Sequence, residues 1–353
     1  MKFPNISNKA LFFIDTYADQ LKSHIKKYGF CGEFIETDFK PEINKTRLLC
    51  QTRSLFFLLD YAKIKNDSSY IKKAYDLYEV IQKNYFCENT KVWSQYPINV
   101  SKTNTLYEYA FVLLSFSKLY EVMPSEHLKL AIERVHQILK KEYLTFDIEF
   151  SNLKEDGKLC QNSLMHLFEA YLEAYKVFKT DEYLKVVEKL LTVLFNLFYC
   201  QKNDLISEYA PIDPNNGIYE PGHSFEWACL VYEAENLNIQ LSEFANHQVI
   251  AQSAENKGVI TKNNKNLVVG SLKGNGESDQ SRFRIWPFFE RLRYYAMTGN
   301  KDKLNNIFPE FTDLYFNENN FPIEYLDQNF KTDFDHIKAT TSYHLINCFK
   351  FLL

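Results

Sequence analysis

Three of the eight histidines lie in apolar, aromatic segments of helix-forming composition, and these three are the residues best suited to proton transfer. They are His166, His223 and His344. Histidine is the natural proton carrier at neutral pH because its ordinary pKa lies closest to neutrality. The separations along the chain are 57 and 121 residues, and because one is about half of the other, they suggest a repeated structural unit.

Two of these histidines begin a His-x-x-Glu pattern, His166 with Glu169 and His223 with Glu226. At that spacing two side chains share a face of a helix. A carboxylate beside an imidazole fixes its tautomer and raises its basicity, as a general base requires. A buried histidine satisfied by an acid is the structural alternative, although two such pairs at equivalent positions favour a function. No His-x-His or Glu-x-x-His pair supports a complete ligand set, so no metal is predicted.

The segment Pro221-Gly222-His223 places the histidine in the first turn of a helix. Gly222 permits another group to approach the backbone closely, and the free N–H groups of the helix N-terminus can stabilise an oxyanion. The positive end of the helix is expected to lower the pKa of His223 and to favour its neutral, basic form. An ordinary turn and cap is the structural alternative.

Other candidate residues stand at similar places along the chain. Arg53 lies among apolar residues, where a cation is costly unless it is paired or functional. It is either part of a structural ion pair or a donor to a developing enediolate oxygen. Trp286, close to Arg284, is suited to stacking on a sugar, although a core tryptophan is the more common case. Tyr107 occupies the equivalent position of an earlier unit.

The bulk composition excludes several classes of function. The net charge is −4 and no basic stripe is present, which argues against nucleic acid or a membrane surface as a partner. The apolar runs are too short to span a bilayer, and the N-terminus lacks a signal-peptide pattern. The seven scattered cysteines predict reduced thiols in a cytoplasmic protein. No nucleotide-binding motif occurs, and no cofactor is predicted.

Helical periodicity and capping residues predict twelve helical segments. Gly29 fits a C-cap, Pro124 fits the first turn of the fifth segment, and Thr180 offers an N-cap for the seventh. The predicted segments are 6–28, 44–65, 68–84, 104–122, 124–142, 162–178, 180–199, 221–236, 239–256, 282–298, 300–315 and 338–353.

Short turns alternate with long links between these segments. The long links have roughly 15 to 25 residues, above the usual length of a loop. Each contains a short run of apolar and polar residues that is typical of a small strand or hairpin. The predicted strands are 32–35, 92–96, 146–150, 205–209, 267–270 and 321–325.

Six units of helix, long link, helix and short turn therefore follow one another. One distinctive residue marks the start of each even-numbered segment: Arg53, Tyr107, His166, His223, Trp286 and His344. These markers are separated by 54, 59, 57, 63 and 58 residues, a period that predicts stacked helical hairpins closing into an (α/α)6 barrel. The even helices would form the inner ring, with the links on one face. No segment of residues 1–353 has the composition of an interdomain linker, so one domain is predicted.

Several sequence blocks resemble those of the N-acylglucosamine 2-epimerase superfamily. The blocks are Asn162-x-x-Met165-His166-Leu167-x-Glu169-Ala170, Pro221-Gly222-His223-x-x-Glu226-Trp227, Arg284-x-Trp286-Pro287-x-x-Glu290 and Tyr343-His344-Leu345. Gln51-x-Arg53 and Tyr107-x-x-Ala110-Phe111 are similar to its earlier blocks. The resemblance covers essentially the whole chain and implies an all-α (α/α)6 barrel that isomerises free sugars at C1/C2 without a metal.

The resemblance also implies roles for individual residues. By position, His223 and His344 correspond to the acid/base pair. The residues that correspond to substrate-binding or supporting positions are Arg53, Tyr107, Asn162, His166, Glu169, Glu226, Trp286 and Glu290. The Glu-Trp after Pro-Gly-His resembles the mannose isomerases more than the animal N-acetylglucosamine epimerases.

Mannose-type aldose–ketose isomerisation is therefore the favoured function. The alternative is 2-epimerisation of an N-acylglucosamine, since a small change in the pocket would separate the two reactions. A glycoside hydrolase is a more distant alternative because hydrolysis normally needs a pair of carboxylic acids, and so is a non-catalytic sugar-binding protein. A small sugar is the expected partner, and a homodimer is left open.

Overall fold

Twelve α-helices make up most of the protein in the computed structural model, which describes residues 4–36, 38–100, 104–144, 154–155, 158–240 and 246–353. In chain order they are α1 Pro4–Tyr28, α2 Leu48–Lys65, α3 Ser69–Asn84, α4 Leu106–Val122, α5 Glu126–Glu142, α6 Gln161–Phe178, α7 Asp181–Leu197, α8 Pro221–Asn236, α9 His247–Gly258, α10 Ile285–Met297, α11 Lys301–Tyr315 and α12 Thr341–Phe349. Among the described residues, no helix is both long and apolar enough to cross a membrane.

The even-numbered helices form an inner ring and the odd-numbered helices surround it. Helix α10 buries 12 of its 13 residues and α12 buries all nine, whereas α3 buries five of 16 and α5 six of 17. A helix buried on every side belongs in a core, and one buried along a single stripe belongs at the surface. Neighbouring inner helices contact one another in order, and α12 contacts α2, so the ring closes. The predicted (α/α)6 barrel is confirmed.

Most of the predicted helix ends are found where the sequence placed them. Gly29 ends α1 with a φ of 78°, and the Thr180 hydroxyl accepts a backbone hydrogen bond at the start of α7. The prediction for Pro124 is wrong. Helix α5 begins at Glu126, because the Ser125 hydroxyl caps a free N–H and leaves the proline outside the helix.

Short antiparallel strands occupy the long links. They are β1 Phe86–Cys87, β2 Val92–Trp93, β3 Lys154–Glu155, β4 Lys158–Cys160, β5 Tyr199–Cys200, β6 Leu205–Ile206, β7 Tyr209–Ala210, β8 Ile218–Tyr219, β9 Val259–Lys262, β10 Lys265–Val268, β11 Leu272–Lys273, β12 Arg282–Arg284 and β13 Tyr325–Asp327. The pairs are β1–β2, β3–β4, β4–β7, β5–β6, β8–β11, β9–β10 and β12–β13.

Several predicted boundaries differ from the structure. The stretch 32–35 forms no strand, and Phe34 makes only an isolated bridge to Lys338. Helix α10 starts three residues later than predicted, because Arg282–Arg284 pairs with β13 as a strand. Helix α12 is shorter at both ends than the predicted 338–353. Residues 146–150 lie outside the described part of the chain, as do residues 241–245 of the predicted ninth segment.

The two ends of the barrel differ in chemistry. Residues from the first two turns of every inner helix line one cavity, so the helix N-termini share one end. At the other end, buried charges on α2 and α4 and just after α12 pair with one another. The Asp60 carboxylate lies 2.6 Å from Lys118 Nζ and 3.1 Å from Lys350 Nζ. These ion pairs close that end, and the links surround the other.

Candidate active site

A cavity of about 150 Å³ lies at the N-terminal end of the inner helices. It is lined by Arg53, Tyr107, Asn162, His166, Glu220, His223, Glu226, Arg284, Trp286 and His344. Eight of the ten predicted site residues are therefore brought together. The other two, Glu169 and Glu290, are buried behind the wall and accept hydrogen bonds from Tyr343 and His344. All six repeat markers meet in this cavity, as the period predicted.

His223 is bonded to a glutamate from the preceding link. Its Nδ1 lies 2.9 and 3.0 Å from the two carboxylate oxygens of Glu208, and 3.7 Å from Glu220 Oε2. Burial lowers the pKa of His223, but the charges of Glu208 and Glu220 outweigh burial and raise it to about 9. The predicted lowering is wrong, because two carboxylates have a larger effect than the helix N-terminus. His223 is charged at neutral pH.

Glu208 is the site residue that the sequence analysis missed. Its carboxylate accepts a hydrogen bond from Gln161 Nε2 at 3.1 Å and one from the backbone N–H of Glu220 at 3.3 Å. Gln161 is fixed in turn by the Trp227 indole N–H, which donates to Gln161 Oε1 at 2.6 Å. These bonds hold the carboxylate in place. A link residue 15 positions before His223 has no helical spacing that would have revealed the contact.

His344 has the opposite electrostatic environment. Its Nδ1 lies 2.7 Å from Glu290 Oε1, and the second oxygen of Glu290 accepts a hydrogen bond from Arg293 at 3.2 Å. Burial and the nearby Arg53 guanidinium hold the pKa of His344 well below its usual value. Glu290 does not reverse this shift because its charge is shared with Arg293 and burial raises its own pKa. His344 is neutral at neutral pH.

The predicted pairing of His166 with Glu169 is present but long. The Nδ1–Oε2 distance is 3.5 Å, and the same glutamate accepts a short hydrogen bond from the Tyr343 hydroxyl. Burial lowers the pKa of His166 to about 4, although the Glu169 carboxylate opposes the shift. His166 is therefore neutral and suited to hydrogen bonding with a ligand.

The predicted pairing of His223 with Glu226 is wrong. Within the described residues no hydrogen bond joins them, because Glu208 already occupies Nδ1 of His223. Glu226 Oε1 instead accepts the Tyr343 hydroxyl at 3.3 Å. Burial and the neighbouring Glu290 raise the pKa of Glu226 well above its usual value, which favours the neutral acid on the cavity wall.

Trp286 contacts both histidines of the predicted acid/base pair. Its ring centroid lies 4.8 Å from that of His223 and 5.5 Å from that of His344. The ring packs so closely on Gly222 that a Cβ atom there would lie 2.6 Å from it. The close approach predicted for Gly222 is confirmed, and its partner is the tryptophan.

Arg53 reaches the cavity from α2 without an acid partner. Its guanidinium donates to the Tyr107 hydroxyl at 2.7 Å and to the Thr340 carbonyl at 3.3 Å. It lies 4.5 Å from the Phe111 ring centroid and 4.8 Å from that of Tyr343. In the described part of the chain no carboxylate lies within ion-pair distance of Arg53, so the ion-pair alternative is wrong.

Four buried polar atoms on the cavity wall have no hydrogen-bond partner among the described residues. They are Arg53 Nε, Asn162 Oδ1, Glu226 Oε2 and Trp286 Nε1. Buried polar atoms are satisfied in nearly all native proteins, by protein, water or ligand. Donors and acceptors left open around one small cavity are what a polyhydroxylated ligand requires.

The N-acylglucosamine 2-epimerase (GlcNAc 2-epimerase) family matches residues 93–307, more than half of the chain. The chain belongs to this family. The matched range holds eight of the ten predicted site residues, and it also holds Glu208, which the sequence analysis had not singled out.

The proteins that are similar to this chain include some that are named isomerases and some that are named epimerases. A mannose-6-phosphate isomerase of Rhizobium meliloti (strain 1021) is 25% identical over 214 residues, 56% of this chain and 54% of that protein. The chain thus spans about half the length of that curated relative. The cellobiose 2-epimerase of Bacillus thermoamylovorans B4167 has a TM-score of 0.78 at 14% identity, covering 97% of this chain and 99% of that chain. The structure of a D-mannose isomerase has a TM-score of 0.74 at 18% identity, covering 94% of this chain and 96% of that chain.

Three groups of side chains in this family member are composed of metal-binding residue types. Their ligand atoms lie within 4.8 Å of one another: His166, Glu169 and Glu226; Glu208, Glu220 and His223; Glu226, Glu290 and His344. Each histidine already uses Nδ1 in a contact with a carboxylate. Such contacts orient the ring and leave Nε2 for a ligand. The absence of a metal from the chemistry stays a prediction.

Proposed function

We propose that the protein is an isomerase that interconverts a mannose-type aldose and its ketose by proton transfer between C2 and C1. The observation that carries this proposal is the pair of histidines against Trp286, one charged and one neutral. Environments that separate the pKa values of two such groups provide an acid and a base in one site at the same pH. The names of the two mannose-related relatives support the choice of sugar.

Ring opening is the first step in this mechanism. The charged His223 donates its Nε2 proton to the ring oxygen as the C1–O5 bond breaks. The proton of the C1 hydroxyl then passes to the vacated imidazole, and C1 becomes an aldehyde. Since Glu208 fixes Nδ1, both transfers use Nε2. His223 ends this step charged, as it began.

Isomerisation follows at the neighbouring carbon. Neutral His344 takes the proton from C2 through Nε2, and the electron pair moves to form an enediolate whose charge lies on O1. Arg53 has an unpartnered N–H that can donate to this oxygen. The imidazolium of His344 exchanges its proton with solvent and protonates C1, while His223 protonates O1 and takes the O2 proton. The product is the ketose.

The charge difference between the histidines favours isomerisation over the alternative of N-acylglucosamine 2-epimerisation. In 2-epimerisation the charged His223 can deliver a proton to the opposite face of C2 in one direction, but it must act as the base in the other direction. A pKa of about 9 makes His223 a poor base at neutral pH. Isomerisation needs one base only, and His344 is neutral. The family name and the structurally similar cellobiose 2-epimerase support the epimerase alternative.

Hydrolysis of a glycoside is less well supported by the cavity. A hydrolase uses two carboxyl groups that flank the scissile bond. Here Glu220 and Glu226 line the cavity, but Glu220 Oε2 lies 3.7 Å from the charged His223, and Glu226 accepts a hydrogen bond from Tyr343. The cavity also holds three histidines whose Nδ1 atoms contact carboxylates, and these suit proton transfer at carbon.

A matched set of histidine variants tests the proposal. Mannose and N-acetylmannosamine are incubated with the wild type, His223→Gln and His344→Gln, and products are measured by chromatography. Each variant is expected to lose about 100-fold or more of the activity toward mannose. His336→Gln is the control, because His336 also contacts a glutamate, Glu36 at 3.2 Å, but lies exposed outside the cavity. Wild-type activity in either cavity variant would contradict the proposal.

The remaining expectations are proposals of the same kind. We infer that residues 1–353 act as one catalytic domain, since all six repeats contribute to one cavity. A cytoplasmic location is supported by the seven buried cysteines, which carry no disulfide in the described residues. Size-exclusion chromatography with light scattering would test the homodimer.

A further inference from the structure

Arg284 lies at the mouth of the cavity near Glu220 and Glu324, but among the described residues it forms no ion pair with either. Its side chain is exposed, and its guanidinium lies 5.3 Å from the ring centroid of Trp286 and 5.9 Å from that of Tyr325. Within the described ranges no carboxylate oxygen lies within 4.0 Å of it, whereas acids nearby pair with other groups. A guanidinium held by aromatic rings keeps its N–H donors available.

The basic neighbours of Arg284 are already engaged. Arg282 Nε lies 2.5 Å from Asp333 Oδ2, and its guanidinium also donates to the Asp333 carbonyl at 3.2 Å. Lys338 Nζ donates to the Tyr325 hydroxyl at 2.8 Å. Of these three cations, only Arg284 lines the cavity. Of the three, Arg284 is therefore the cation that is available to a ligand in the cavity.

The cavity carries an excess of positive charge. Arg53, Arg284 and the charged His223 line it, but Glu208 pairs with His223, and the remaining acids of the lining are Glu220 and Glu226. Burial raises the pKa of Glu226 well above its usual range, which favours its neutral form, so Glu220 faces two guanidinium groups. A cavity with this balance attracts an anion.

One anionic group cannot contact the guanidinium groups of both Arg53 and Arg284. Arg53 is only 6% exposed and has Phe111 and Tyr343 as ring neighbours, whereas Arg284 is exposed against Trp286. The two groups therefore lie at different depths, Arg53 beside the histidines and Arg284 at the opening. The transient enediolate forms at C1 and C2, next to the histidines, and it leaves Arg284 without a charge to bind.

We propose that the preferred sugar carries an anionic oxygen-bearing group on the carbon farthest from C1 and C2, and that Arg284 binds this group at the mouth. A phosphate, a sulfonate and a carboxylate share the required chemistry, because each presents two oxygens to the parallel N–H donors of a guanidinium. The inference rests on the proposed function, since C1 and C2 must lie at the histidines for the far end to reach the mouth.

Steady-state kinetics with four sugars test this inference: mannose, mannose 6-phosphate, mannuronate and 6-deoxy-6-sulfomannose. At least one anionic sugar is expected to have a kcat/KM about ten-fold or more above that of mannose. Arg284→Gln is expected to remove this preference by raising KM for the anionic sugar, with a much smaller change in kcat. The sugar that shows the preference identifies which of the three groups is bound.

The matched control is Arg282→Gln, which removes a neighbouring guanidinium that is paired with Asp333 and does not line the cavity. It is expected to keep the wild-type preference. Preference for mannose over all three anionic sugars would overturn the inference and leave the proposed function intact, and so would an unchanged preference in Arg284→Gln. If none of the four sugars is converted, the proposed function itself fails.

Discussion

Both carboxylate oxygens of Glu208 contact Nδ1 of His223, at 2.9 and 3.0 Å. The contact orients the imidazole so that Nε2 is left for the cavity, and it favours the charged form of the ring. His344 has an equally close carboxylate, Glu290 at 2.7 Å, yet burial and the Arg53 guanidinium hold the pKa of His344 well below its usual value. The two histidines therefore differ because the acids around His223 outweigh its burial, whereas burial prevails at His344.

Glu208→Gln tests this dependence because it removes the charge and keeps the size of the side chain. The pKa of His223 is raised to about 9 by its acids, so activity that needs the imidazolium falls as pH rises through that value. In the variant the pKa of His223 is expected to fall, and the alkaline limb of kcat/KM against pH moves to lower pH. The activity at neutral pH falls as well.

The control for this variant is Glu36→Gln, which removes a carboxylate beside the exposed His336. In Glu36→Gln, the alkaline limb of kcat/KM against pH is expected to match that of the wild type. An alkaline limb at unchanged pH in Glu208→Gln would show that Glu208 does not set the protonation state of His223.

Gly222→Ala tests the position of Trp286. A Cβ at residue 222 would lie 2.6 Å from the Trp286 ring, far inside contact distance, so the ring must move away from both histidines. We expect a loss of about 1 to 3 kcal/mol in the free energy of unfolding and a larger relative loss of kcat/KM. Chemical denaturation and steady-state kinetics measure the two effects.

Gly270→Ala is the matched control, because the nearest atom to its Cβ would be an Asp279 oxygen at 3.6 Å, an ordinary contact. It is expected to leave both quantities close to wild type. Full activity in Gly222→Ala would mean that the tryptophan position is not required.

The ion pairs at the far end of the barrel are expected to support stability alone. Asp60→Asn leaves Lys118 and Lys350 buried without their anion, and breaking a buried pair costs about 3 to 5 kcal/mol. Glu121→Gln removes the acid of an exposed pair with Lys63, which is worth about 1 kcal/mol or less. Urea denaturation compares the two variants. Equal stability in both would contradict the structural role of Asp60.

Sequence periodicity was sufficient to predict the barrel and six of the residues that meet in its cavity. The six markers recur near the starts of the inner helices, and helices with shared direction bring such positions together. Gly222 was also predictable, since a glycine in a helix first turn marks a close approach. These features depend on spacing within or between helices, which the sequence displays directly.

Protonation states were not predictable in the same way. The pKa of His223 depends on Glu208, which reaches it from a link whose path no periodicity specifies. Of the local influences that the sequence displayed, the helix N-terminus acts in the opposite direction. The same limitation applies to Glu226, whose expected bond to His223 is replaced by a contact with Tyr343.

The position of solvent deuterium in the product tests the central claim most directly. Mannose is incubated with the protein in deuterated buffer, and the products are followed by NMR. We predict a ketose that carries deuterium at C1, delivered by His344, and no epimerised aldose. An aldose inverted and labelled at C2 would contradict the single-base assignment and establish 2-epimerisation, with His223 as the second base.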